Sequence, residues 1–395
     1  VVSDEPGSCP KCGMFLEPVE QAGHIEHHDH SAHGDHNGHA GHGGAAPVEG
    51  IEPQFMSMVE LTEGQPRSSD GLQMEWIDVA FGPFFPGLPG GLELGFAMDG
   101  DTIDNATAGS AAKLHGELVP TPLAPEEFVA RISAVGALSP VSFRMLAVRA
   151  LENAAGDAAG YAVGDDVARG RVAALERERI ASHLSWLSGL GVQAGFGWLA
   201  MRAAQLQLLT QNAPTADIAA LAPEISALLR KTQGSRLLRA RLSGIGRIDA
   251  GADAAGPVAR ATGQKTDARI GDKTYGGLGF ASLSQPGGDA LARLHQRLHE
   301  ITQSLELISA AGVMTPPGLR EFNAKSGVGE AVVETPRGQA RLSLKLKAGK
   351  VVQARLDTPS GQNLNLINDL CAQQELGDAL VAVASLDISP WEIRA

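Results

Sequence analysis

The feature that most constrains the fold is an apolar stripe of helical period that recurs between residues 125 and 312. In its most regular run the apolar residues are spaced by three and four, at Leu291, Leu294, Leu298, Ile301, Leu305 and Ile308. Asp289 precedes this run as a potential N-cap, and Gly312 follows it as a stop signal. Because amphipathic helices must bury their stripes against one another, the sequence predicts a bundle of several long helices.

Other segments carry the same period. One stripe runs through residues 172–190, where Gly189 and Gly191 are expected to end the helix. Further helices are predicted over residues 194–210 and 216–232.

Strand patterns flank this helical region. Residues 92–98 alternate, turn at Asp99 and return from Thr102, while residues 340–346 alternate and return as residues 351–356. The predicted fold class is therefore α+β: a central multi-helix bundle flanked by an N-terminal antiparallel β unit and a C-terminal β hairpin or small sheet.

The helical body offers few groups for catalysis. His183 lies on the stripe of its helix and is interpreted as a core histidine, whereas His295 and His299 lie off theirs and are expected to face solvent. Cys371 stands alone and is expected to be a small buried residue. We find no Ser/His/Asp arrangement and no nucleotide-binding glycine motif in a strand–turn–helix context.

The front of the chain differs from the body in that it carries potential metal ligands and no apolar periodicity. Cys9 and Cys12 form a C-x-x-C pair, which provides two thiolates for a soft metal or, alternatively, a redox-active or inert thiol pair. A dense histidine run follows, without apolar periodicity. Its members are His24, His27, His28, His30, His33, His36, His39 and His42. Imidazoles at this density bind Zn, Ni or Cu loosely, and the alternative is a flexible linker of biased composition.

Charge and cysteine usage limit the partners and the compartment. The formal net charge of −13 argues against nucleic acid as a partner. No window is apolar enough over about 18 residues to span a membrane. With only three cysteines, a disulfide scaffold is excluded and a reducing compartment is expected. Val1 is followed by acidic residues, so we expect no signal peptide and a processed or partial N-terminus.

Residues 6–18, which contain the C-x-x-C pair, resemble the heavy-metal-binding segment of some copper-exporting ATPases and efflux proteins. That family carries a Cys-Pro-x-His half before this one, and the present chain starts too late to include it. The resemblance therefore implies a partial site for Zn or Cu.

Several strings in the body resemble one superfamily, which comprises the D-type subunit of complex I (NADH:quinone oxidoreductase) and the large subunit of [NiFe] hydrogenases. Residues 175–184 read LERERIASHL, residues 235–239 read SRLLR, residues 334–338 read ETPRG and residues 385–388 read SLDI. These strings occur in the order expected for that superfamily, and the last is expected to form a strand. The resemblance covers roughly residues 76–390.

The resemblance also identifies functional residues of the superfamily that this sequence lacks. Hydrogenase relatives bind nickel and iron through two C-x-x-C pairs, expected near residues 132–138 and 386–391, where no cysteine occurs. A nickel–iron centre is therefore not expected. Quinone-reducing relatives carry two histidines in a Gly-Pro loop and a nearby tyrosine. Here Phe85, Pro89 and Ala134 occupy those positions. Glu117 either matches a family glutamate or is an ordinary surface carboxylate.

The sequence thus predicts three segments: a partial heavy-metal-binding segment (1–20), a His-rich disordered linker (21–52) and a domain of the complex I D-type and hydrogenase large-subunit class (53–395). The domain is predicted to comprise a β unit (53–110), a helical bundle (111–312) and a C-terminal β region (313–395).

The resemblance implies a component of an NADH:quinone oxidoreductase or hydrogenase-type redox complex, with a small iron–sulfur subunit and membrane subunits as partners. It also implies a cytoplasmic location, peripheral to the inner membrane. Three functions stay open: a non-catalytic assembly subunit, an active quinone-handling subunit, and a Cu- or Zn-binding protein that uses the body as a platform. Whether the chain is an enzyme is left open as well.

Overall fold

The computed structural model describes residues 76–113, 115–156, 163–319 and 322–394. These residues form many helices and two separate three-stranded antiparallel sheets. The α+β class predicted from the sequence is confirmed. Within these residues, no helix combines the length and the apolar character needed to cross a bilayer.

The N-terminal sheet has the order β1 (Ile77–Phe81), β2 (Leu92–Asp99) and β3 (Thr102–Ser110). Side chains of β2 alternate between a buried and a more exposed face, as expected for a sheet covered on one side. The buried face packs into a core shared with helices near the end of the chain.

The helical region is the largest part of the fold. Its helices are α1 (Pro125–Val135), α2 (Pro140–Ala155), α3 (Asp165–Gln193), α4 (Gly197–Gln211), α5 (Thr215–Gly234), α6 (Arg236–Leu242), α7 (Gly256–Arg260), α8 (Lys273–Gly277) and α9 (Ala290–Ala311). The long α3 packs against α4 and α9, and the helices predicted from periodicity are confirmed as α3, α4, α5 and α9.

The predicted ends of α9 are confirmed. The Asp289 carboxylate accepts the backbone N–H of Ala292 at 2.8 Å, which caps the first turn. Gly312 follows the last turn in the left-handed conformation, with φ of 68°.

The prediction that Gly189 and Gly191 end their helix is wrong, because α3 continues to Gln193. A Cβ atom at Gly189 would lie 2.8 Å from the carbonyl oxygen of Gly87, and one at Gly191 would lie 2.8 Å from the amide nitrogen of Ala200. These glycines therefore permit close packing of other backbone segments against α3.

The C-terminal sheet has the order β4 (Gly327–Thr335), β5 (Gly338–Lys347) and β6 (Lys350–Asp357). The hairpin predicted from the alternating run is confirmed as β5 and β6. Its turn contains Ala348 and Gly349, both with positive φ.

Three helices follow this sheet: α10 (Pro359–Leu364), α11 (Ile367–Cys371) and α12 (Leu376–Leu386). The strand predicted at residues 385–388 is wrong, since Ser385 and Leu386 end α12 and Asp387 caps it in the left-handed conformation. The second half of α12 is buried on all sides, so its sequence shows no helical period that would distinguish it from a buried strand.

Candidate functional site

The motif-bearing segments meet around a cavity of about 200 Å³, named here the central cavity. The cavity is enclosed by the loop before β2, by α3, by the turn between β4 and β5, and by the residues after α12. Its lining residues are Gly87, Leu88, Pro89, Gly90, Leu92, Leu138, Ser185, Trp186, Gly189, Arg337, Val383, Ala384, Asp387, Ile388 and Trp391. Segments that are far apart in the sequence thus form one site.

Arg337 reaches the central cavity from the turn between β4 and β5. Its Nη2 atom donates to Asp387 Oδ1 at 2.9 Å, and its Nη1 atom donates to Ser139 Oγ at 3.0 Å. The turn packs directly on Gly256, where a Cβ atom would lie only 2.1 Å from the Arg337 carbonyl oxygen. Gly256 also has φ of 58°, so both space and backbone conformation require glycine there.

The α3 motif fixes the position of this turn. Arg179 is fully buried and donates from Nη2 to the Glu334 carbonyl at 2.8 Å and from Nη1 to the Thr335 carbonyl at 3.0 Å. Its Nε atom donates to Glu176 at 3.0 Å. The LERERIASHL and ETPRG strings are therefore two halves of one contact, in which a helix arginine satisfies the carbonyls that precede Arg337.

A second arginine lies behind Asp387. The Arg297 Nη2 atom is 4.0 Å from Asp387 Oδ2, and the Arg297 guanidinium stacks over the Trp186 ring, 4.3 Å from its centroid. Burial lowers the pKa of Arg297 to about 10, although the charges of Asp387 and Glu300 act in the opposite direction. Asp387 is thus held between two arginines.

A network of buried charges extends from this point. Arg260 Nη1 donates to Glu334 Oε1 at 2.7 Å, its Nε atom donates to Glu300 Oε1 at 3.0 Å, and Arg269 pairs with Asp267 at 2.7 Å. Burial alone would raise the pKa of Glu300, but Arg260 and a hydrogen bond from His183 hold that pKa well below its usual range. The network connects α7, α9 and β4. Because each buried charge has a partner of opposite sign, the attraction between partners offsets the desolvation free energy of burying them.

His183 is a core histidine, as predicted. It is fully buried, and its Nε2 atom lies 3.0 Å from Glu300 Oε2. Burial lowers the pKa of His183 to about 4, against the smaller opposing effect of Glu300, so we assign a neutral ring that donates from Nε2. Its Nδ1 atom has no hydrogen-bond partner within the described parts of the chain.

The structure corrects the prediction for the two histidines of α9. His295 and His299 were expected to face solvent, but both are half-buried, and His299 Nδ1 pairs with Gln285 Nε2 at 3.0 Å. Polar residues on another face of α9 are buried too, notably Arg293, Gln296, Arg297 and Glu300. Their burial depends on partners in distant segments, which the local pattern of α9 does not reveal.

The loop before β2 presents apolar groups at the positions where the resemblance implies histidines in quinone-reducing proteins. Phe85 is half-buried and packs edge-on against Phe81, with ring centroids 5.2 Å apart. Pro89 lines the central cavity, whereas Phe84 is 87% exposed. Ala134, at the position expected for the tyrosine, does not line the cavity.

The residues do not fit a nickel–iron centre. Leu138, Ile388 and Trp391 line the cavity from the two segments in which hydrogenases carry cysteine pairs, and no lining residue is a cysteine. Nickel and iron in such centres need thiolate ligands, and this cavity offers guanidinium, carboxylate and hydroxyl groups instead.

The remaining sequence candidates lie elsewhere. Cys371 is fully buried, as expected, in the core beneath the N-terminal sheet, and burial raises the pKa of its thiol to about 12. Glu117 is exposed, which favours its interpretation as a surface carboxylate. The predicted metal ligands Cys9, Cys12 and the histidines from His24 to His42 lie outside the described residues. Within those residues, no three His, Cys, Asp or Glu side chains are grouped to hold a metal ion.

Sequence reasoning missed several residues that the fold brings to the site. Trp186 lines the central cavity, and Ser139 and Arg297 contact the Arg337–Asp387 pair, yet none of the three belongs to a string quoted for the resemblance. For Trp186 the sequence offers one signal, the density of polar residues on α3, which is high for a helix with so many buried positions.

Two parts of the chain are similar to known family models. The family model described as "Respiratory-chain NADH dehydrogenase, 49 Kd subunit" matches residues 171–326, and the model "Heavy metal binding domain" matches residues 1–19.

Individual relatives agree with the first match. A D-type subunit of the NADH-quinone oxidoreductase of Opitutus terrae is 34% identical over 167 residues, which cover 38% of this chain and 42% of that protein. The alignment with this relative therefore spans about two fifths of its length. The D-type subunit of the Geobacillus kaustophilus enzyme is 26% identical over 368 residues, covering 82% of this chain and 99% of the relative.

A solved structure agrees with the fold. A chain of the membrane-bound sulfane sulfur reductase, an archaeal respiratory membrane complex, superimposes with a TM-score of 0.72 at 20% identity, covering 81% of this chain and 98% of that chain. The fold of the described residues is thus that of this respiratory-complex chain, and over residues 171–326 the sequence is similar to the 49 kDa (D-type) subunit of NADH-quinone oxidoreductase.

Proposed function

We propose that this chain is a D-type component of a membrane-associated respiratory oxidoreductase complex, and that it neither holds a nickel–iron centre nor reduces quinone by itself. One observation carries the proposal. The central cavity, where the family motifs meet, has no cysteine, histidine or tyrosine in its lining. Reduction of a quinone needs a group that delivers protons to the headgroup, and Phe85 and Pro89 cannot do so.

The preserved framework supports a structural role for the site. The Arg179 contacts with the ETPRG turn and the Arg337–Asp387 pair keep the segments around the cavity in place. The packing that shapes the site is therefore present without the groups that its relatives use for chemistry. This combination suits a subunit that contributes to its complex through surface contacts with other subunits and not through catalysis.

An exposed apolar stripe on α4 is suited to contact with a partner subunit. Met201 and Leu208, seven residues apart and so on one helix face, are 68% and 70% exposed, and Leu209 beside them is 55% exposed. Large apolar side chains grouped on a surface usually mark an interaction site. We propose that a partner, either the small iron–sulfur subunit or one of the membrane subunits, covers this stripe.

The front segment adds a metal function to the same proposal. Cys9 and Cys12 supply two thiolates, and the histidine run from His24 to His42 supplies imidazoles, a ligand set that favours Zn or Cu. The match of residues 1–19 to a heavy metal binding domain supports this assignment. The segment would collect metal ions independently of the central cavity.

A second candidate function is quinone handling by other groups. It is favoured by the apolar wall of the central cavity, which includes Trp186 and Trp391, and by two polar atoms, Arg337 Nε and Asp387 Oδ2, that have no hydrogen-bond partner among the described residues. Such a cavity resembles a small-molecule site, apolar with a few polar groups.

One set of measurements tests these functions. Elemental analysis of the purified chain, of Cys9→Ser/Cys12→Ser and of a deletion of residues 1–46 is expected to find Zn or Cu in the first protein only. Ni or Fe that persists after the deletion would contradict the proposal. Titration with a short-chain quinone, followed by Trp fluorescence, is expected to give no saturable quenching. Saturable quenching that weakens in Trp391→Leu would favour quinone handling instead.

A further inference from the structure

A second cavity of about 210 Å³ lies against the central cavity and shares Leu138, Ser185 and Arg337 with it. It is named here the side cavity. Its main wall is one face of α3, because Glu178, Ser182 and Ser185 recur at intervals of four and three and therefore lie one above another.

The mouth of the side cavity lies at the end of α4. Gln211 and Asn212 are exposed and belong to its lining, so solvent and small solutes can reach it. Their amide groups add further hydrogen-bonding capacity at the rim. On the α3 wall, by contrast, Glu178, Ala181 and Ser182 are buried.

Three buried polar atoms of the lining residues have no hydrogen-bond partner among the described residues. They are Arg177 Nε, Ser182 Oγ and Arg337 Nε. Ser182 is only 7% exposed and Arg337 only 4% exposed, so bulk water does not satisfy them freely. Unsatisfied buried donors are rare in folded proteins, and three around one cavity indicate a missing ligand.

The chemistry of these atoms defines that ligand. An arginine Nε–H can only donate, and the serine hydroxyl can donate as well. The ligand must therefore present several acceptor atoms. A hydrocarbon or a single carbonyl would leave at least one donor unsatisfied.

The charge around the cavity is also favourable for an anion. Arg177 and Arg337 contribute two positive charges, and Glu178 is the one carboxylate in the lining. Glu178 is turned towards the start of α2, where its oxygens accept the backbone N–H groups of Val141 at 2.6 Å and Ser142 at 2.8 Å. Its acceptor atoms are thus already used. The Arg337 charge is balanced by Asp387 at 2.9 Å, whereas Arg177 donates, among the described residues, only to the Ala213 carbonyl, so the Arg177 charge remains for a ligand.

We propose that the side cavity binds a small oxyanion, of the carboxylate or phosphate type, through Arg177, Ser182 and Arg337. The volume of about 210 Å³ is below the range of drug-sized pockets, which suits an ion of a few heavy atoms. The site shares Leu138, Ser185 and Arg337 with the central cavity, but the proposal does not rest on any function of that cavity or of the front segment. It uses no cysteine, histidine or metal.

Isothermal titration calorimetry at constant ionic strength tests the proposal with three probes: inorganic phosphate, sulfate and succinate. We expect saturable binding of at least one probe with Kd below about 1 mM, and none of chloride. Tighter binding of phosphate or of succinate would distinguish a phosphate-type from a carboxylate-type ligand. Failure to saturate with all three probes would overturn the site without affecting the function proposed for the chain as a component of a respiratory complex.

Matched variants locate the binding. Ser182→Ala removes one donor, and Arg177→Lys keeps the charge but loses Nε, so each is expected to weaken binding roughly tenfold. Ser188→Ala is the control on the same helix, because its hydroxyl is already bonded to the Ala200 carbonyl at 2.9 Å. Arg230→Lys, at an exposed arginine of α5, is the control for charge. Equal affinity in Ser182→Ala, Arg177→Lys and the controls would show nonspecific surface binding and overturn the site.

Discussion

Arg337 and Asp387 are 50 positions apart in the sequence and are joined by a buried ion pair with a 2.9 Å contact at the central cavity. The pair connects the turn between β4 and β5 to the residue that caps α12. Arg337 also borders the side cavity, so this one contact positions a side chain that belongs to both cavities.

Removing one partner of this pair should be costly. In Asp387→Asn, the Arg337 charge stays buried without its counter-charge, and we expect the free energy of unfolding to fall by about 3–5 kcal/mol. Urea denaturation measures this. Asp357→Asn is the control, since its pair with Arg355 is exposed, at 77% and 53% side-chain exposure, and should contribute less than about 1 kcal/mol. Similar losses in both variants would show that the buried pair has no special role.

Protonation of His183 should couple stability to pH. Its pKa is about 4 in the folded protein against a reference value of 6.5, so the unfolded chain takes up the proton first as pH falls. The contribution of the neutral ring is complete above pH 6.5 and is lost as pH falls towards 4, up to about 3 kcal/mol in all. His183→Gln should show a shallower decline than the wild type across this window. A parallel decline in both proteins would contradict the assignment, and the exposed His115→Gln serves as control.

The three cysteines should differ in how readily their thiols react with a disulfide reagent. Burial raises the pKa of the Cys371 thiol to about 12, so the reactive thiolate is scarce and inaccessible in the native protein. With a chromogenic disulfide reagent, we expect Cys9 and Cys12 to react in the metal-free native protein and Cys371 to react only in denaturant. Added Zn should protect the first two. Continued reaction of those thiols under saturating Zn would argue against thiolate ligation.

The exposed stripe on α4 should be needed for assembly and not for folding. In the double variant Met201→Glu/Leu208→Glu, we expect the chain to leave the membrane-associated complex proposed for it on native electrophoresis while its melting temperature stays close to that of the wild type. Leu237→Glu is the control, because Leu237 is a comparably exposed apolar residue, at 76%, on a different helix, α6. A double variant that still migrates with the complex would exclude the stripe as the contact surface.

Much of the fold could be predicted because helix and hairpin signals are local. The stripe of α9 and its ends at Asp289 and Gly312 depend on residues three and four apart, and the alternation of β5 and β6 depends on residues two apart. The strings in the body also indicated the family, which the comparisons bear out. The sequence likewise identified Phe85 and Pro89 at positions where histidines would be required.

What the sequence could not provide depends on segments far apart in the chain. Gly189 looked like a stop signal, but it permits the approach of Gly87, more than a hundred residues earlier. Arg293 and Glu300 lie off the apolar stripe of α9, yet both are buried because Arg260, His183 and the end of α12 supply partners. The helical period depends on residues that are close in the sequence and could therefore be predicted from it. The burial of charge is set by whichever distant groups the folded chain brings within hydrogen-bonding distance, so only the tertiary structure decided the Arg337–Asp387 pair and the unsatisfied donors of the side cavity.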